Sequence, residues 1–168
     1  MGLPTLSERD GYVATFARES ATTLRLLRAY PADRLDLRPV ETLPPARGLI
    51  HELVVSQVRV QAALAPAFGR PDVPAPAATL EGLVERFAAA HAVSAAALAA
   101  LGDADFDAAV RVPTGPGTWG ERRRGDLLWI VLYDAIHLRG QLTIYTRMAG
   151  GVVPPIYSPI LEPSLDPA

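Results

Sequence analysis

The chain contains no cysteine and only three histidines in 168 residues. The lack of cysteine excludes disulfides, thiolate metal sites and a cysteine nucleophile. No stretch approaches the roughly 20 uninterrupted apolar residues that a membrane span needs. The formal net charge of −2 gives no global attraction to nucleic acid or to an anionic membrane. We therefore expect neither nucleic acid nor a membrane as a partner.

The first residues, MGLPTLSERDGY, lack the basic start and the apolar run of a secretory signal, so we expect a cytoplasmic protein. The composition is that of a globular protein, with 49% hydrophobic and 20% charged residues. A chain of this length is long enough to bury a core, and it is typical of one ordinary domain. We therefore expect a single domain over residues 1–168.

Four segments carry no proline in their interior, and most of the 16 prolines lie between them. Apolar residues recur in these segments at spacings of three and four, which is typical of amphipathic helices. The predicted helices span about 6–30, 45–65, 80–101 and 126–148. The connections are long and show no run of strand-like segments. The sequence thus predicts an all-α four-helix bundle with a crossover connection and an extended, proline-rich C-terminal tail.

The segment YDAIHLRGQL, residues 133–142, places polar side chains in the middle of the last predicted helix. At about 100° per residue, His137 lies at the centre of an apolar stripe, with Asp134 and Gln141 on the same surface. Arg139 projects to the far side, where we expect it to pair with an acid or a neighbouring subunit. His51 also falls on the apolar side of its predicted helix. Helical geometry therefore predicts two histidines and one carboxylate inside the bundle.

Three interpretations of this polar cluster are open, because burying such groups without partners costs several kcal/mol. The first is a structural hydrogen-bonded network between Asp134 and His51 or His137. The second is a divalent metal, since imidazole and carboxylate bind zinc, nickel or iron and bundle interiors hold such sites. The third is an Asp–His pair that acts as a general base.

The stretch YDAIHLRGQLTIYTRMAGGVVPPIYSP, residues 133–159, resembles the C-terminal helix and tail of DinB-like proteins. This damage-inducible superfamily includes bacillithiol- and mycothiol-dependent transferases. The resemblance lies in an Arg-Gly-Gln-Leu motif followed by a tyrosine, an arginine, a glycine pair, Val-Pro and Ile-Tyr. It implies a four-helix bundle with an unusual crossover, a role in stress response and, in many members, a homodimer.

The resemblance also implies a divalent-metal site, with zinc or nickel held by His51, Asp134 and His137. Relatives commonly have two adjacent histidines before Arg-Gly-Gln, whereas this chain has His137 followed by Leu138. Leucine cannot bind a metal, so either His137 substitutes or the site lacks a ligand and is metal-free. Two histidines and one carboxylate would still form an open metal site.

By this resemblance, the chain is a metal-dependent enzyme that transfers a low-molecular-weight thiol to an electrophile or hydrolyses a small-molecule substrate. His137 and Asp134 would be the catalytic residues, and Gln141 and Tyr133 would contact the substrate. The alternative is a non-catalytic stress-response or binding module whose buried His/Asp cluster is structural and holds no metal.

Two further features have both a structural and a functional interpretation. His91 lies in the alanine-rich third helix, where it is either a structural histidine or a spare imidazole for a metal site. The basic run ERRRG, residues 121–125, is either a solvated surface or a clamp for the carboxylates of an acidic thiol.

Overall fold

The computed structural model describes residues 6–157. Its elements are α1 (Glu8–Ala29), a 3₁₀ turn (Ala32–Arg34), α2 (Ala46–Leu64), α3 (Leu80–Ala100), α4 (Asp103–Asp107), β1 (Ala109–Gly115), β2 (Thr118–Arg123) and α5 (Arg124–Met148). The four long helices each begin and end within two residues of the predicted bounds. The all-α prediction is not exact, because β1 and β2 form a two-stranded antiparallel sheet.

The helix starts follow local capping chemistry. The Ser7 side chain accepts a hydrogen bond from the Asp10 amide at the start of α1, and Thr79 does the same for the Gly82 amide at the start of α3. Such caps satisfy amides that have no partner within the helix. Pro45 precedes α2, where its fixed φ suits a helix entry.

The long helices form a bundle in which α1 and α2 each pack against both α3 and α5. Helices α1 and α2 therefore lie diagonally opposite each other, although they are consecutive in the chain. The connection between them crosses the bundle, as predicted.

Two core clusters mark the two ends of this bundle. The first contains the end of α1 and the starts of α2 and α3, for example Leu26, Ile50 and Phe87. The second contains the start of α1 and the ends of α2 and α3, for example Phe16 and Val60. Helices α2 and α3 therefore run in the same direction, and the connection between them must return along the length of the bundle. This return segment forms one wall of the candidate site.

The hairpin β1–β2 lies in the connection before α5, where the sequence analysis predicted no strand. Val110 and Val112 of β1 are buried in the second core cluster, and the turn contains Gly117 at φ +72°. The Phe68 amide donates a hydrogen bond to the Arg111 carbonyl of β1 at 2.8 Å. The hairpin thus anchors the segment that follows α2.

Among residues 6–157, one helix, α3, is long and apolar enough to cross a membrane by length and composition. It packs against α1 and α2, and Leu83, Phe87 and Leu98 are fully buried there. A core helix passes the same test of length and composition, so this feature is weak evidence for a span. The expected cytoplasmic location stays a prediction.

Candidate functional site

A cleft of about 800 Å³ lies between α2 and the segment that returns from α2 to α3. It is lined by His51, Glu52, Val55 and Arg59 of α2, by residues 68–73 of the return segment, and by Pro113 of β1. The parallel course of α2 and α3 creates this cleft, because the return segment runs beside α2 instead of closing at its end.

His51 is the histidine of this cleft, and it is half-buried. Its Nδ1 atom is buried and has no hydrogen-bond partner within residues 6–157. Burial lowers the pKa of His51; the Glu52 carboxylate opposes this shift and the Arg86 guanidinium adds to it. The imidazole is therefore neutral near pH 7.

Arg59 joins the cleft to α5. Its Nη1 lies 3.1 Å from Oδ2 of Asp134 and its Nη2 lies 3.4 Å from Oε2 of Glu52. The prediction that Asp134 lies inside the bundle was wrong, because its side chain is 49% exposed and adjoins the cleft only through this ion pair. Arg59 is not among the predicted site residues, although its position two helical turns after Glu52 places both residues on one face of α2.

The prediction that His137 is buried was wrong. His137 is exposed, and its Nε2 lies 2.8 Å from the side-chain amide of Gln141 on the outer surface of α5. The apolar residues that share its stripe, Ile130, Tyr133, Ile144 and Met148, are 49–61% exposed. Helix α5 has a second apolar face, with Leu128, Leu132, Leu142 and Tyr145 buried against the bundle. Apolar residues recur at helical spacing on both faces, but the face that packs against the bundle is the one without His137.

The prediction that Arg139 lies outside was also wrong, because its side chain is only 2% exposed. Its Nη2 lies 2.7 Å from Oε2 of Glu19 in α1, and its Nη1 donates to the Glu19 carbonyl at 3.1 Å. The Tyr157 hydroxyl donates to the same carboxylate at 2.8 Å and accepts from Arg139. The expected acid partner is thus present, but it lies inside the protein, and the three residues tie α5 to α1 and the tail.

The Glu19 carboxylate is ionised in this buried cluster. Burial alone would raise the pKa of Glu19, but hydrogen bonds from Tyr157 and Arg139 and the positive charge of Arg139 outweigh it and lower the pKa below its ordinary value. The arginine of the Arg-Gly-Gln motif is therefore a structural residue here.

The predicted site residues are not gathered into one cluster. His51 lies in the cleft and Asp134 at its edge, while His137, Gln141 and Tyr133 lie on the outer surface. Within the described part of the chain, no group of three or more His, Cys, Asp or Glu side chains is placed to hold a metal ion. The catalytic and substrate-binding roles of these residues stay predictions.

His91 and the basic run lie apart from the cleft. Nδ1 of His91 lies 3.2 Å from the side-chain oxygen of Gln57, an arrangement that suits a structural histidine. In the basic run, Arg123 pairs with three carboxylates, those of Glu8, Asp107 and Asp126. Arg124 is buried and donates to backbone carbonyls. The solvated-surface interpretation was therefore wrong for Arg124, whereas Arg123 forms its ion pairs at the surface.

The family assignment rests on residues 15–142, which match the DinB superfamily. The chain belongs to the DinB superfamily. A comparison with curated proteins gave no match.

The fold of this DinB-superfamily chain is similar to that of solved DinB-like structures. YjoA of Bacillus subtilis is 18% identical at a TM-score of 0.72, covering 88% of this chain and 97% of its own. A DinB-like protein of Bacillus cereus is 17% identical in sequence, with a TM-score of 0.73; the match covers 88% of this chain and 96% of the Bacillus cereus chain. YfiT of Bacillus subtilis is 17% identical in sequence, with a TM-score of 0.66; the match covers 89% of this chain and 93% of YfiT. YfiT is described as a probable metal-dependent hydrolase with an unusual four-helix bundle topology.

The described residues of this DinB-superfamily chain do not fit a resident divalent metal at His51 and Asp134. A metal-bound histidine almost always donates its second ring N–H to an acceptor, whereas Nδ1 of His51 has none within residues 6–157. Glu52 and Asp134, the carboxylates beside His51 and at the cleft edge, are both paired with Arg59. The two carboxylates that could bind a metal are thus already neutralised by the Arg59 guanidinium.

Proposed function

We propose that this protein binds a small molecule with a carboxylate or a similar oxyanion in the cleft along α2. The observation that carries the proposal is His51, a neutral imidazole in the cleft wall whose Nδ1 is buried without an acceptor. Nδ1 neither donates nor accepts a hydrogen bond within residues 6–157, so Nε2 is the ring nitrogen left to meet a ligand. Nε2–H is then the donor that a ligand in the cleft can meet.

The rest of the lining supports a ligand of mixed character. Arg70 is exposed at the cleft, and no residue within 6–157 forms an ion pair with it. Val55, Phe68 and Val73 offer apolar surface in the same cleft. Pockets of this size that combine apolar walls with a few polar groups are the usual form of small-molecule sites.

This proposal corresponds to a binding module that works without a metal. Metal-dependent hydrolysis or thiol transfer, which the family resemblance implies, would need a ligand set that the described residues do not bring together. The proposal therefore contains no step at a metal, and the small molecule can equally be a substrate or a regulatory ligand.

The test compares His51→Gln, which retains a side-chain N–H donor, with His51→Leu, which has none. Small carboxylates and inorganic phosphate serve as probes, with the matching uncharged amides as controls, and binding is measured by calorimetry. We expect anions to bind to the wild type and His51→Gln, and to bind weakly or not at all to His51→Leu. Equal binding of acids and amides, or equal binding by both variants, contradicts the proposal.

We further propose that the outer face of α5 pairs with a second copy of the chain. Ile130, Tyr133, Ile144 and Met148 are exposed along this face, and nothing within residues 6–157 lies within 4 Å of a Cβ added at Gly140. An apolar helix face with a small residue at its centre allows close packing of two helices. Analytical sedimentation of two variants tests this pairing: Ile144→Asp on the outer face of α5, and the control Val93→Asp at an exposed position on α3. We expect Ile144→Asp to be a monomer and Val93→Asp to stay a dimer. If both variants are dimers, the proposed pairing is wrong.

A further inference from the structure

We propose that, in this chain, the Arg59 guanidinium takes the place of a divalent cation between α2 and α5. It neutralises two carboxylates, Glu52 from α2 and Asp134 from α5, and thereby makes the cleft independent of metal supply. The inference concerns the same cleft as the proposed function, but its test measures metal binding directly and needs no ligand.

The geometry supports a bridging role for Arg59. Its two terminal nitrogens contact different carboxylates on different helices, at 3.1 Å for Asp134 and 3.4 Å for Glu52. The guanidinium group is planar, always charged and able to donate from both nitrogens at once. One side chain therefore supplies the positive charge between two acids that would otherwise repel each other.

The same geometry explains why the acids do not form a metal site. His51 and Glu52 both line the cleft, and Asp134 adjoins it through its ion pair with Arg59. These are the ligand types that zinc and nickel take. Because Arg59 pairs with both Glu52 and Asp134, its guanidinium group occupies the position between the two carboxylates that a metal cation would need.

Removal of the guanidinium should therefore uncover an affinity for divalent cations. The experiment titrates zinc and nickel into protein without a histidine tag and records bound metal and the unfolding temperature. We expect no stoichiometric binding to the wild type or to Arg59→Lys, which retains the positive charge. Arg59→Met should bind one zinc or nickel ion at least about tenfold more tightly than the wild type does. The bound ion should raise the unfolding temperature of Arg59→Met.

Two control variants locate the effect. Arg59→Met combined with Asp134→Asn should lose the acquired binding. Arg47→Met removes an arginine of the same helix that pairs with Asp36 outside the cleft, and it should acquire none. If Arg59→Met does not fold by circular dichroism, Arg59→Gln replaces it, since glutamine retains polarity without charge.

Two results would overturn the inference. One is stoichiometric zinc or nickel on the wild type that is lost in Asp134→Asn, because the metal would then bind beside Arg59. The other is a folded Arg59→Met or Arg59→Gln that binds no more metal than the wild type. The second result does not bear on ligand binding at His51, whereas the first would also contradict a cleft that works without a metal. Ligand binding itself is tested separately, by the comparison of His51→Gln with His51→Leu.

Discussion

Replacement of Arg139 by methionine should be among the most destabilising single substitutions in this protein. Methionine is also long and unbranched, but it removes the positive charge and both hydrogen bonds to Glu19. The Glu19 side chain is only 5% exposed, so in the variant its carboxylate regains little water and keeps only Tyr157 and the largely exposed Arg18 as partners. The perturbation therefore leaves a buried charge without its main partner.

The magnitude follows from the burial of the pair. Removing one partner of a buried ion pair costs about 3–5 kcal/mol. The Tyr157 hydroxyl still donates to Glu19 at 2.8 Å in the variant, which favours the lower end of this range. For a chain of this length, about 3 kcal/mol corresponds to a fall of roughly 6–12 °C in the unfolding temperature.

Urea unfolding followed by circular dichroism measures the change, with two comparison variants. Arg139→Met combined with Glu19→Leu should recover most of the loss, because an apolar pair needs no compensation for buried charge. Arg122→Met, at an exposed position in β2, should stay within about 0.5 kcal/mol of the wild type. If Arg139→Met is as stable as Arg122→Met, or if the double variant is less stable than Arg139→Met alone, the buried ion pair does not stabilise the fold as expected.

Four further changes test other parts of the structure by the same unfolding measurement. Gly125→Ala should cost about 1–3 kcal/mol, because its Cβ would clash with the Phe106 ring. Gly140→Ala should instead stabilise the monomer by about 0.5–1 kcal/mol, since the added methyl meets open space. Thr79→Ala should cost about 1 kcal/mol through loss of the α3 cap. Folding lowers the pKa of Glu19. The ionised carboxylate therefore stabilises the fold fully above the pKa of the unfolded chain, about 4.3, and this contribution is lost as the pH falls through the folded-state pKa. The stability difference between the wild type and Glu19→Gln should therefore shrink below about pH 4; a constant difference would contradict this.

The long helices could be predicted because their signals are local. Pro31 and Pro66 follow the ends of α1 and α2, side-chain caps start α1 and α3, and apolar spacing marks the helical segments. The hairpin β1–β2 gave a much weaker signal, since Val110 and Val112 are the only buried apolar pair in its alternation. Its position is fixed by packing against the second core cluster, which a local pattern does not describe.

The candidate site was predicted only in part. His51 does lie in a cleft, but that cleft exists because the segment after α2 returns along the bundle. Arg59 was missed because its importance comes from Asp134, 75 residues later in the chain. His137 was misplaced because α5 has apolar residues on two faces, and periodicity by itself cannot tell which of them meets the core.

The family, the four long helices and their approximate ends could be predicted without a structure, since they depend on motifs and on residues within a few turns of each other. Three properties depend on how the helices pack: which face of α5 is buried, the interior position of Arg139, and the contact of Arg59 with both carboxylates. These properties depend on contacts between distant segments, such as the 120 residues that separate Glu19 from Arg139. A buried charge is stable only where the fold brings a partner of opposite charge next to it, and the local sequence around Glu19 or Arg139 does not reveal that partner.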